Sequence, residues 1–172
     1  TMNMKRIVTV ISVVLLRLML AVWVGGAALF VITSVAEQTN PEFDSVTRDQ
    51  LATVRFPLYY LFGAITLTMA LVGGAIASFV ASGCLRKRMR VAMLLTVLSA
   101  GLAVVDYVWI YQPLQKLIIP PGQAKTQEFI TLHERSRHIN EVHVTLALVA
   151  SVLAAIPPSD ASSRSCGAGI PI

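Results

Sequence analysis

FITLHERSRHINEVHVTLALVASVLAAI, Phe129 to Ile156, changes character halfway along. Its first part, through His143, holds all three histidines of the chain. Its second part, Val144 to Ile156, carries no charge at all. At 100° per residue, Leu132, Ile139, Val142 and Leu146 fall on one stripe, to face lipid or core. Beside it lie His133, Ser136, Asn140 and His143, and a third face carries Glu134, His138 and Glu141. A stretch that sorts its residues in this way reads as an amphipathic helix running directly into a membrane span. That reading decides the fold, because it adds a fourth span to three others.

Composition supports the same conclusion. Of 172 residues, 55% are hydrophobic and 13% charged, where a soluble domain carries about 25% charged residues; the mean hydropathy is +0.70. A membrane helix needs about twenty mostly apolar residues. The expected spans are about 13–36, 56–80, 91–111 and 139–156, within one domain covering 1–156. The fold class is all-α: a four-helix transmembrane bundle with an amphipathic extension leading into the fourth helix. The remainder, 157–172, is rich in Pro, Ser and Gly and reads as a disordered tail. The start, "MKRIVTVISVVLLR", has no small-residue cleavage site and continues apolar beyond Arg17, so a retained span is expected rather than a signal peptide.

The net charge is +5, and four of the fourteen cations sit in "RKRMR", Arg86 to Arg90. In a chain this apolar, such a cluster is a topology signal facing anionic lipid, not a nucleic-acid surface. With Lys5 and Arg6 it places the N-terminus and the second-to-third connection in the cytoplasm. The loops Glu37 to Arg55 and Gln112 to His138 then face outward and the C-terminus returns inside, as in a multi-pass protein of the cell (inner) membrane. The spacing of Cys84 and Cys166 suggests neither a disulfide framework nor a metal knuckle. Ala21 with Gly25, Gly73 with Ala77, Gly74 with Ser78 and Ser99 with Ala103 put small residues at helix-contact spacing. The pairs Gly25–Gly26 and Gly73–Gly74 favour close packing of the first two spans.

Two ionisable residues fall inside spans, where such residues are functional candidates by default. Asp106 lies about fifteen residues past the inner end of its helix, roughly 8 Å below the outer surface of a 30 Å core. His143 sits at ~6 Å depth by the same rise, with Asn140 just above it and Tyr59 and Tyr60 level with it on the second span. The candidate polar site is therefore Asp106, His133, Ser136, Asn140, His143, Tyr59 and Tyr60. It is either the mouth of a functional pocket or a clasp that holds the helices together. Arg17 falls at the cytoplasmic edge and is expected to snorkel, the alternative being a long reach between opposite halves of the bilayer to pair with Asp106.

Specific chemistries fit poorly. His133 and His138 are five apart, one too many for the zinc-protease pattern H-E-x-x-H. Glu134, His138 and Glu141 can in principle ligate a metal, but the commoner use of that spacing is a solvated face with i, i+4 pairing. All histidines lie on one segment, which disfavours a bis-histidine haem. No phosphate loop and no Ser–His–Asp spacing is present. No catalytic residue, metal or cofactor is expected.

Three groups of residues occur together in order: "LAVWVGGAALF" (Leu20 to Phe30), "FPLYY" (Phe56 to Tyr60), and Phe129, Leu132, His133, Ser136 and Asn140 in the spacing F..LH..S...N. The combination resembles the transmembrane protein 205-like domain family of small membrane proteins, over roughly residues 15 to 150. The resemblance singles out Trp23, Gly25, Gly26, Phe56, Pro57, Tyr59, Tyr60, Phe129, His133, Ser136 and Asn140, and makes Pro113 the proline that closes the third span. "VAEQ", Val35 to Gln38, departs from the small-residue-plus-proline turn of such proteins. The family supplies a fold but no reaction.

Three functions follow as expectations. The first is small-solute or ion binding or permeation through the polar site near the outer leaflet. The alternative is a non-enzymatic membrane scaffold or accessory subunit, with a second copy or a membrane protein as partner beside the lipid bilayer. An enzyme using His133 as base comes last, because no nucleophile or cofactor site accompanies that histidine.

Overall fold

Asn3, Asp44 and Thr126 each turn a side-chain oxygen onto the first turn of a helix. They accept from the backbone N–H of Lys5 (3.2 Å), Thr47 (2.7 Å) and Phe129 (3.2 Å), satisfying donors that a helix start leaves open. The computed structural model describes residues 3–156, so the expected tail lies outside the described residues. Four long helices follow: α1 Met4–Thr39, α2 Ser45–Val80, α3 Gly83–Lys116 and α4 Gln127–Ala155. All four are long and apolar enough to cross a membrane. The chain is an all-α four-helix bundle of the multi-pass kind, in which α1 packs on α2, α2 on α3, α3 on α4 and α4 back on α1.

The helices run well past the expected spans. Of the expected outer loop Glu37 to Arg55, only 40–44 is non-helical, and the loop Gln112 to His138 shrinks to 117–126. Arg86 to Arg90 lie inside the first turns of α3, and Ala81 and Ser82 alone connect it to α2. Loss of apolar character marks where a bilayer ends. It does not end a helix whose residues retain helical propensity and whose start is capped. Pro113 likewise fails to close the third helix, which continues to Lys116. Instead the ladder widens just before it: Asp106–Tyr111 is π-helical, with the N–H of Gln112 bonded to the carbonyl of Tyr107. Proline donates no hydrogen bond and its ring crowds the preceding turn, and π-bulges gather at such interruptions.

One half of the bundle is packed dry. Leu16 and Leu20 of α1, Met89 and Ala92 of α3, and Ala147, Ala150 and Ala154 of α4 are fully buried there. Gly73 makes this possible, since a Cβ on it would lie 2.9 Å from the backbone of Ser12 and Leu16. One glycine of each pair, Gly26 and Gly73, lies at a close α1–α2 approach, but the two do not meet each other, and a Cβ on Gly25 would meet nothing within 4 Å. Gly26 packs under Phe62, whereas Gly73 meets α1 near Leu16. Arg17, expected only to snorkel, donates its Nε to the carbonyl of Ala154 and so caps the last turn of α4.

The opposite end is tied by polar contacts. Buried Asp49 accepts from Lys125 Nζ at 2.6 and 2.7 Å and from the N–H of Gly122 at 2.9 Å. Arg55 pairs with Glu37 and lies over the Phe30 ring. These contacts hold the 117–126 connection and the ends of α1 and α2 above the candidate site.

Candidate functional site

α4 turns its small and polar side inward. His143, Ala147, Ala150 and Ala154 are its buried residues, while Val142 is 52% exposed. Of the two directions open to the apolar stripe, the outward one is realised. The inward face carries Asn140 to the level of Asp106 on α3, and the two meet: Asn140 Nδ2 donates to Asp106 Oδ2 at 2.8 Å. Tyr60 of α2 donates its hydroxyl to the same oxygen at 2.6 Å. Tyr59 donates to Asn140 Oδ1 at 2.9 Å, and His143 Nε2 lies 3.0 Å from that oxygen. Asn140 Nδ2 also reaches Ser136 O at 2.9 Å and Ser136 Oγ at 3.3 Å.

The direction of each bond follows from the chemistry. The Asn140 amide nitrogen faces a carboxylate and a carbonyl, both acceptors, so its oxygen faces Tyr59 and His143. His143 Nε2 must then carry the proton, leaving Nδ1 of the neutral ring as an acceptor. That Nδ1 is buried with no partner, as are Asp106 Oδ1, the Tyr111 hydroxyl and Trp23 Nε1. Four open polar atoms within one cluster is a high density for a folded interior.

Six of the seven expected residues therefore assemble: Asp106, Ser136, Asn140, His143, Tyr59 and Tyr60. Asp106 reaches His143 only through Asn140. His133 stands apart. It is exposed and stacks on Phe129 at 5.9 Å, about 15 Å up the helix from His143. On the remaining face, exposed Glu141 sits 3.5 Å from His138 and 3.9 Å from Arg137, in the pairing pattern of a solvated helix.

Several contributors were not singled out from sequence as site residues. Trp23, noted there only as a motif position, stacks on His143 (5.7 Å) and packs on Tyr59 (5.2 Å). Tyr107 and Tyr111 flank Tyr60 at 5.1 and 4.6 Å. Ser99 donates to the carbonyl of His143 at 2.8 Å, pinning α3 to α4 below the cluster; its only signal was a small residue at helix-contact spacing. Tyr107 and Tyr111 carried an i, i+4 signal next to Asp106 that hydropathy masks.

Beside this network lies a cavity of about 610 Å³, lined chiefly by α2 and α3. Trp23, Tyr59, Tyr60, Tyr107, Tyr111, Gln115 and His143 line one part, and Leu61, Ala64, Leu67, Leu71, Ala100, Ala103 and Val104 another. Leu61 and Val104 are 57% and 61% exposed, so the cavity opens on the outside of the bundle. Pro57 lines it too, and its missing N–H leaves the turn before it one hydrogen bond short. Asp106 lies one side chain behind the wall, screened by Tyr60. The volume is that of a small-molecule site.

No protein-family model matches the chain, and no similar protein was found among curated proteins or solved structures.

Proposed function

We propose that the protein binds a small, largely apolar solute, taken up laterally from the bilayer into the cavity between α2 and α3. One observation carries this reading: the cavity has an apolar part and an aromatic part where Tyr107 and Gln115 carry polar groups. Such a division suits a molecule with a greasy body and one polar group. Binding is favoured over permeation, because the half of the bundle beyond the cluster is filled by Leu16, Leu20, Met89, Ala92 and Ala150. A polar path through that half is what a permeating ion would need.

The transmembrane 205-like resemblance belongs to the same proposal. Its support is that five motif residues, Trp23, Tyr59, Tyr60, Ser136 and Asn140, converge around Asp106 and His143, although His133 and Phe129 stand apart. The proposed orientation places the Arg86 to Arg90 end of α3 and both termini in the cytoplasm and the cluster near the outer leaflet of the cell membrane.

The test uses purified protein in lipid nanodiscs and a neutral lipophilic probe, triphenylphosphine oxide, followed by tryptophan quenching against empty nanodiscs. Saturable binding that Ala103→Phe abolishes is the expected result. Identical, non-saturating partition in wild type and Ala103→Phe would end this reading and leave the scaffold role.

A further inference from the structure

We infer that the preferred solute of this cavity carries a positive charge: a lipophilic cation such as an organic ammonium or phosphonium. The inference rests on the binding site proposed above and concerns its charge selectivity. The aromatic part of the cavity is lined by Trp23, Tyr59, Tyr60, Tyr107 and Tyr111, with no lysine or arginine among its lining residues. Tyrosine and tryptophan faces attract cations, most strongly where water is excluded.

A carboxylate stands directly behind that wall. Asp106 is fully buried, and Oδ2 takes both of its hydrogen bonds while Oδ1 has none. Among the described residues no cation pairs with it: Lys125 serves Asp49, Arg55 serves Glu37, and Arg17 serves Ala154 at the other end of the bundle. A buried carboxylate without a counter-ion is expensive within a bilayer. Tyr60 joins the two parts, since its ring lines the cavity and its hydroxyl donates to Asp106. A cation in the cavity would therefore meet an aromatic wall backed, about one ring width away, by a carboxyl group that the cation's own charge would help to keep ionised. A neutral solute of the same shape would gain only the apolar contact. At ~6 Å and an effective dielectric near 20, the charge term is worth at most a factor of about a hundred in affinity, and the part spent on keeping the buried carboxylate ionised leaves about tenfold or more.

The experiment compares tetraphenylphosphonium with neutral triphenylphosphine oxide in the same nanodiscs, by equilibrium dialysis corrected with empty discs. Wild type should bind the cation about tenfold or more tightly than the oxide. Asp106→Asn should remove that preference while oxide binding stays saturable, which also shows that the variant is folded. Tyr60→Phe, which keeps the ring and the carboxylate, should retain the preference. Equal affinities for the two probes in wild type, or a preference that survives in Asp106→Asn, would overturn the inference while the cavity reading stood on its oxide binding. No saturable binding of either probe would overturn both.

Discussion

Asn140 donates to Asp106 across the α3–α4 interface at 2.8 Å while its amide oxygen receives Tyr59 from α2 at 2.9 Å. One side chain thus joins three helices, and His143 and Ser136 complete its valence. Removing it strands donors on Tyr59 and His143 and takes one of two bonds from Asp106. Single interhelical hydrogen bonds in membranes average only about 0.6 kcal/mol, but unsatisfied buried partners add cost. Asn140→Ala should destabilise the bundle by about 1–3 kcal/mol, and Tyr59→Phe by less than about 1 kcal/mol. Unfolding by sodium dodecyl sulfate from mixed micelles measures both, and equal effects would dismiss the hub role.

Arg17 contributes at the other end. The carbonyls of a helix's last turn have no partner within it, and Arg17 Nε supplies one at Ala154. Arg17→Leu should cost about 0.5–1.5 kcal/mol in the same assay, with Arg17→Lys intermediate, since lysine can reach but lacks the planar fork. A neutral Arg17→Leu would mean that the side chain merely rests at the membrane edge.

How much of this was legible in the sequence differs from residue to residue. Asp106 and Asn140 were placed at one level because helical rise converts sequence distance into depth. His133 was misjudged because angle around a helix says nothing of height: it shares a stripe with Asn140 but sits above the helix contacts. The ends of α1 and α2 that flank the 40–44 connection were read as loop because hydropathy reports the bilayer boundary, whereas Asp44 and helical propensity set the helix boundary. The π-helical turn at Asp106–Tyr111 had no sequence signal beyond Pro113, which was taken as a stop. Long-range aromatic partners such as Trp23 and His143 depend on the packing of α1 against α4, and no local pattern encodes that.

Asp44 gives a pH-dependent prediction. The Thr47 backbone N–H, then the Thr47 side chain, hold its carboxyl below the ordinary 3.8. A pKa depressed on folding stabilises the folded state above the unfolded value, and that contribution is lost as pH falls through the folded value. Asp44→Ala should therefore lower the thermal midpoint at pH 7, and the difference from wild type should shrink below about pH 4. A difference that stays constant from pH 7 to pH 3 would exclude an ionised cap.

The 117–126 connection depends on Gly122. Its φ is +86°, and a Cβ would lie 2.6 Å from Val46 Cγ2, while its N–H binds Asp49. Gly122→Ala meets both a backbone penalty and a clash, so it should cost about 1–3 kcal/mol locally. Hydrogen exchange should show faster labelling of 117–126 with α1 unchanged. Protection equal to wild type would show that the clamp is not needed.

Gly63 sets the position of Trp23. A Cβ there would fall 2.7 and 2.8 Å from the indole ring, which is 1% exposed and wedged between α2 and His143. The ring has no free direction, because Tyr59 and Phe62 pack around it at 5.2 and 6.2 Å. Gly63→Ala should therefore push Trp23 off His143 at a cost of about 1–3 kcal/mol. With Trp109, which is 67% exposed, replaced by Phe, Trp23 is the sole indole and its emission reports the shift. Emission should move to the red in Gly63→Ala, and quenching by triphenylphosphine oxide should weaken because the cavity wall has changed shape. Unchanged emission together with unchanged quenching would mean that the α1–α2 contact yields instead, and that Trp23 is not held by its fit against Gly63.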